Sequence, residues 1–278
     1  MLDHVVHAVR DLEAAASELR RLGLHVVPGG DHPGWGTRNA LCYFDLTYIE
    51  LIAVRAGAEA EAAASDFGGR ILGFLEGGAG RARGGAGLDS GGDGLATAAL
   101  RTGEIAGAAA AMQARGVGLV GPNPGSRRRP DGSVIAWQLA LPPWPWPFLI
   151  QWGDGDTARR ADLTARSVIR EHPLGPGLRL RQVGWAVADL ATAGDWLASA
   201  YGIRAGEPYA DPALGAVCRE TDAGLLLCEP TQPGPARERL TERGEGPFLY
   251  DLTAPAAQPF FTPVLGAWLR VVPSAAGE

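Results

Sequence analysis

A single carboxylate interrupts one of the most apolar runs of the chain. Residues 47–54 read TYIELIAV, and Tyr48, Ile49, Leu51, Ile52 and Val54 mark a buried β-strand around Glu50. Ionised carboxylates are almost never fully buried alone, because desolvating the charge is costly. Glu50 therefore faces either a cation or hydrogen-bond donors such as an imidazole, Tyr48 or Arg38. A second concentration of chemistry is GGDHPGWGTRN (29–39), which gathers His32, Trp35, Thr37 and Asn39. An imidazole there can serve as acid or base near neutrality. Trp35 can wall a pocket that Thr37 and Asn39 edge with polar atoms; alternatively, Gly34 and Gly36 make a tight turn and Trp35 is a structural plug. SRRRPDG (126–132) places Arg127, Arg128 and Arg129 at a hairpin tip, either as a solvated turn or as a grip for a carboxylate or phosphate. LPPWPWPFLIQW (141–152), preceded by Trp137, is stiff and extended; its aromatics either wall a cavity or form core between domains. His7 and His25 read as structural histidines, and His172 as the end of a linker.

The bulk properties narrow the classes of function. With 278 residues the chain can form two domains, and 46% hydrophobic and 20% charged residues describe a globular protein. A net charge of −6 argues against a nucleic-acid partner. Every side-chain cation other than histidine is an arginine. Without lysine there is no Schiff base for pyridoxal phosphate and no complete P-loop. No GxGxxG opens a helix after a strand and no GxSxG occurs, so neither a dinucleotide site nor a hydrolase elbow is expected. Cys42, Cys218 and Cys228 are too scattered for a disulfide framework and suit a reducing cytoplasm. The opening residues lack the apolar stretch of a signal peptide, and no run approaches the roughly 18 apolar residues of a membrane helix.

The elements that must position these residues repeat. LDHVVHAV (2–9) is a strand, Asp11 caps the helix LEAAASELRRLG, LHVVPGG (24–30) is a strand, and RNALCYFD with TYIELIAV forms a hairpin-like pair. The same order recurs as GLATAALR (94–101), the helix GEIAGAAAAMQARG, VGLVGP, SVIAWQLALP and PFLIQW (147–152). It begins a third time at RQVGWAVADL (181–190), whose AVADL matches AVRDL, and continues to GLLLCEP; PFLYDLT and GAWLRVV suggest an incomplete fourth unit. Residues 55–93 interrupt the pattern with one amphipathic helix, ASDFGGRILGFLEGG, and a glycine-rich run expected to be a mobile loop. The expected organisation is a first domain over 1–153 (units 2–54 and 94–153), a connection over 154–177, and a degenerate second domain of the same type over 178–278. That second domain is expected to cover the first domain's sheet or to supply a homodimer contact.

With LDHVVHAVRDLEAA, GGDHPGWGTRN, YIELIAV, RPDGSVIAWQLA, PFLIQW and EHPLGPGL in view, the chain resembles the vicinal-oxygen-chelate superfamily of glyoxalases, bleomycin-resistance proteins and extradiol dioxygenases, and more particularly the glyoxalase-like domain proteins. The resemblance implies an α+β fold in which paired βαβββ units form an open, cup-shaped mixed sheet. It also implies metal ligands on the first and last strands of each unit, which here are His4, Glu50, Leu95 and Gln151. Leu95 cannot ligate, and an amide oxygen such as that of Gln151 can. Side-chain alternation puts His4, Val6 and Ala8 on one face of their strand, and Tyr48, Glu50 and Ile52 on one face of theirs. If these strands are neighbours, His4 and Glu50 converge, and with Gln151 they would make a mixed nitrogen–oxygen set for Zn, Mn, Fe, Ni or Co.

The resemblance then implies a metal-assisted lyase or isomerase for a small molecule with vicinal oxygens, with Glu50 and His32 as catalytic groups and Trp35, Thr37, Asn39 and Tyr48 lining the pocket. Two alternatives stand beside it. One is a metal-free binding protein of the bleomycin-resistance kind; the other is a cup filled by its own side chains, with Glu50 satisfied by hydrogen bonds. In the third unit Gln182 takes the place of His4 and Leu226 that of Glu50, with Glu229 on the opposite face.

Overall fold

Alternating and continuous apolar runs become strands here, and the first helix begins where the sequence offers a cap. In the computed structural model, which describes residues 1–77, 91–129, 131–255 and 258–274, the first unit is β1 (Leu2–Ala8), α1 (Leu12–Arg21), β2 (Val27–His32), β3 (Thr37–Phe44) and β4 (Thr47–Val54). Asp11 accepts hydrogen bonds from the amides of Glu13 and Ala14, and α1 buries Leu12, Ala15, Ala16 and Leu19, one stripe of a helix. Two helices, α2 (Glu59–Ala63) and α3 (Asp66–Glu76), follow. The expected helix of the insertion is thus α3, capped by the Ser65 hydroxyl; most of the glycine-rich run after it lies outside the described residues.

The second unit repeats the order with β5 (Gly94–Arg101), α4 (Ile105–Ala114), β6 (Val120–Arg128), β7 (Val134–Leu141) and β8 (Phe148–Trp152). The two units join edge to edge in the order β1-β4-β3-β2-β6-β7-β8-β5, and β5 returns to β1. The expected cup is therefore drawn into a closed ring, although at the β2–β6 seam the rung is the single pair Asp31 and Arg128. The strand β6 is longer than the sequence suggested: Arg127 and Arg128 end it, paired with Ile135 and Val134 across β7, and only Arg129 belongs to the turn.

After α5 (Asp156–Ala165) come β9 (Arg179–Ala186), α6 (Leu190–Tyr201), β10 (Tyr209–Asp211), β11 (Ala216–Glu220), β12 (Leu225–Pro230), α7 (Pro235–Arg243), β13 (Gly246–Ala254), β14 (Phe260–Val264) and β15 (Ala267–Pro273). The matching AVRDL and AVADL have a shared cause, since Asp189 caps α6 as Asp11 caps α1. The last nine helices and strands give one open seven-stranded sheet, β10-β11-β12-β9-β13-β15-β14. PFLYDLT lies in β13 and GAWLRVV in β15, and among the described residues no helix stands between β13 and β14.

The outer face of β1 and β5 packs on the second sheet. Leu2, Val5, Val9, Leu95 and Ala98 share one apolar core with Val183, Trp185, Tyr250 and Leu252. Trp146 belongs to this seam, stacked on Trp196 and Trp185 at ring distances of 4.3 and 6.0 Å. His7 also fastens it: Nε2 meets the Leu265 carbonyl at 2.8 Å, and Nδ1 meets the Tyr250 hydroxyl. His172 ties the connection to the barrel, with Nδ1 accepting from the His25 amide and Nε2 meeting the Tyr43 carbonyl.

Candidate functional site

The barrel interior is apolar at one end and polar at the other. Val6, Ala8, Ile52, Phe67, Ile71 and Phe74 fill the first part. Beyond them lies a tight cavity of about 20 Å³ walled by Trp35, Phe67, Trp137, Phe148, Ile150 and Trp152. It is a narrow slot whose polar lining is His4, His32, Asn39, Tyr48, Glu50 and Arg127.

Parallel pairing of β1 with β4 places His4 beside Tyr48 and Val6 beside Glu50, so alternation turns His4, Tyr48 and Glu50 inward together. The His4 and Tyr48 rings stack at 4.5 Å. His4 Nε2 lies 3.5 Å from Glu50 Oε2, and His32 Nε2 lies 3.8 Å from Oε1. Among the described residues the carboxylate accepts one hydrogen bond, from Asn39, whose Nδ2 donates to Oε1 at 2.5 Å. Asn39 is held in turn by Arg127, whose Nη1 donates to its Oδ1 at 3.3 Å. Arg38, one of the donors envisaged for Glu50, instead faces Glu13 on the outside of the barrel.

Each imidazole is held from behind. His4 Nδ1 meets Asp3 Oδ1 at 2.8 Å, although strict alternation would send these neighbours to opposite faces. A register shift in the β1–β5 pairing at this point breaks the alternation. Asp3 is fully buried and also accepts from Trp152 Nε1 at 3.1 Å, with Arg101 and Arg159 at 3.5 and 3.7 Å. Burial works against its ionisation, but the His4 hydrogen bond and charge and the two guanidiniums outweigh it and hold the carboxyl below its usual range. Asp3 is then acceptor only, so His4 Nδ1 carries the proton given to it. His32 Nδ1 meets the Thr37 hydroxyl at 2.8 Å. Burial, with the charges of Arg127 and His4, lowers the His32 pKa to about 3, so this ring is neutral at ordinary pH.

The site residues read from the sequence divide accordingly. His4, His32, Trp35, Asn39, Tyr48 and Glu50 converge on the slot. His32 belongs to the end of β2 rather than to a loop. Thr37 stands behind His32 instead of lining the cavity. Gln151 is a correction: its Oε1 accepts from the Ile105 amide at 2.7 Å, at the start of α4 on the outside of the barrel. The inward neighbours on β8 are Ile150 and Trp152. On β5 the residue packed inside is Ala96, whereas Leu95 joins the seam with the second sheet. Asp3 was not foreseen as part of the site, and of the three arginines envisaged as a grip for an anion only Arg127 lines the slot. The aromatic run serves both roles envisaged, with Trp137, Phe148 and Trp152 in the slot and Trp146 in the seam.

Among the described residues, no group of three or more His, Cys, Asp and Glu side chains is arranged to hold a metal ion. The pair His4 and Glu50 nonetheless has the chemistry for one. Held at Nδ1 by Asp3, His4 turns Nε2 to a carboxylate oxygen 3.5 Å away. An imidazole nitrogen and a carboxylate oxygen so placed can share a proton or hold a cation between them.

The second sheet holds no counterpart. There Gln182 Nε2 donates to Asp251 Oδ2 at 2.7 Å, Arg270 closes on Asp251 with bonds of 2.8 Å, Leu226 is core, and Glu229 accepts from the Leu190 amide.

Paired βαβββ units curled around an inward imidazole and carboxylate define a protein of the vicinal-oxygen-chelate class. A family model described as a glyoxalase-like domain matches residues 2–201, and the chain belongs to that family. No match is found among curated proteins. Solved structures that share the fold include the following two. A hypothetical protein from Staphylococcus aureus is 18% identical over 98% of this chain and 99% of its own, with a TM-score of 0.74. A mutant of 4-hydroxymandelate synthase from Streptomyces coelicolor is 15% identical over 92% and 71%, with a TM-score of 0.55.

Proposed function

We propose that the chain is a small-molecule lyase or isomerase acting on a substrate with vicinal oxygens, with Glu50 as its proton-transfer group. The observation that carries this reading is the buried Glu50 carboxylate in an aromatic slot, with the Nε2 atoms of His4 and His32 at 3.5 and 3.8 Å. Asn39 holds Oε1, so Oε2 is the oxygen available to take a proton from a carbon beside a carbonyl. Asp3 fixes the His4 ring and His32 stays neutral, so His32 can accept a hydrogen bond from a substrate hydroxyl but does not begin the cycle as an acid. The aromatic walls exclude water from the reacting carbon. His4 and Glu50 would hold a divalent cation, which when bound supplies a Lewis acid for the substrate oxygens. The three cysteines are free and buried, which suits the cytoplasm as its compartment.

Elemental analysis of protein purified without chelator or affinity metal tests the cation. His4→Ala and Glu50→Gln should each abolish its uptake while the chain stays folded. Unchanged metal content in both variants overturns this part of the reading. A second reading, a metal-free binding protein, is favoured by one observation: the inward positions of β5 and β8 are the apolar Ala96 and Ile150. Ligand-dependent tryptophan fluorescence with no bound metal and no turnover would select it.

A further inference from the structure

Arg127 is a buried guanidinium without a carboxylate. Alternation along β6 turns it and Gly125 inward, while Ser126 is half-buried and Arg128 exposed. The side chain is 5% exposed and lines the slot. Among the described residues no ion pair within 4.0 Å includes it, whereas Arg101 and Arg159 share Asp3 and Arg129 meets Asp162 at 2.7 Å. Its Nη1 donates to Asn39 Oδ1 and the guanidinium also bonds the Tyr43 hydroxyl, both neutral partners, while its Nε is buried with no partner. A guanidinium offers five N–H groups in a planar fork shaped for a carboxylate. Taking such a cation out of water is unfavourable unless an anion completes it.

We infer that Arg127 is the anchor for the carboxylate of the ligand, and that the ligand is a small monoanion with a flat apolar body. The inference deepens the proposed reading of the slot and rests on it. The polar relay sets the geometry. Asn39 alone separates Arg127 from Glu50, through contacts of 3.3 and 2.5 Å. A carboxylate on Arg127 thus brings its neighbouring carbon toward Glu50 and His4. Trp35 and Trp137, whose rings meet edge to face at 5.8 Å, receive the apolar part. Gly125 makes room for this packing, since a Cβ there would lie 2.4 Å from Trp137 Nε1 and 2.8 Å from a Trp35 ring carbon.

The test compares phenylglyoxylate with its uncharged amide, phenylglyoxylamide, by titration calorimetry on the full chain without added metal. Wild type should bind the acid at least about tenfold more tightly than the amide, a charge-assisted increment. Arg127→Gln should erase that preference while leaving amide binding within about threefold, and Arg127→Lys should keep part of it because the charge remains. Equal binding of acid and amide by wild type, no binding of the acid, or a preference that survives in Arg127→Gln would each overturn the proposal. The catalytic reading fails separately: an intact preference for the acid, with no turnover and no metal uptake, leaves the Arg127 anchor standing and removes the enzyme.

Discussion

Asp3 and His4 are adjacent in sequence and hydrogen-bonded to each other, Oδ1 to Nδ1 at 2.8 Å, at the point where β1 shifts register against β5. The contact determines which nitrogen of His4 faces Glu50, and it ties the site to a buried charge cluster that includes Arg101 and Arg159.

Replacing Asp3 should therefore damage both stability and the site. Asp3→Asn leaves Arg101 and Arg159 with Asp156 as their remaining carboxylate and is expected to lower unfolding free energy by about 1–3 kcal/mol, measured by urea denaturation. It should also weaken any cation bound at His4 by about tenfold to a hundredfold, read by competition with a metallochromic dye. Unaltered values in both measurements would show that Asp3 does not orient the ring.

Stability should fall in acid because His7 is buried neutral. Burial lowers its pKa from 6.5 to about 4, against the opposing hydrogen bond to Leu265. Below 6.5 the unfolded chain binds a proton that the folded chain refuses, so this contribution is full at neutral pH and fades as pH falls toward 4. The loss amounts to about 3 kcal/mol from this residue. Denaturation of wild type and His7→Gln across that range checks it: the variant should be weaker at neutral pH and show a shallower decline.

Trp146 should prove important to the seam between barrel and sheet. It is 7% exposed and stacked against Trp185 and Trp196. Trp146→Ala removes this packing and should destabilise the protein by about 3–5 kcal/mol. A loss below about 1 kcal/mol would mean that the seam repacks around the gap.

Ligand entry should perturb tryptophan emission. The slot is narrow, and Trp35, Trp137 and Trp152 line it, so a flat ligand must change their surroundings. Trp137→Phe should remove a large part of the quenching or shift seen on titration with phenylglyoxylate. An identical response in the variant would place the ligand elsewhere.

Much of this architecture is local and was legible in the residues. Period-two runs became strands, Asp11 became the cap read for it, and Asp189 in the matching AVADL caps its helix likewise. Alternation alone put His4 with Val6 and Ala8, and Glu50 with Tyr48 and Ile52, on inward faces. The misplacement of Gln151 and Leu95 has one cause: a shift of a single residue in a repeat alignment reverses every side chain of a strand, and Ile150 and Ala96 are the inward residues.

What the chain could not disclose by itself is which faces meet. Asn39 comes from β3, Arg127 from β6 and Glu50 from β4, and only the closing of the two units brings amide, guanidinium and carboxylate into one relay. Asp3 escaped notice because a bulge overrides alternation, and bulges depend on how a strand pairs with its partner. Composition and periodicity determined the elements and their apolar faces, since these follow from short-range sterics and burial. Tertiary closure determined the site, since its contacts join residues far apart in sequence.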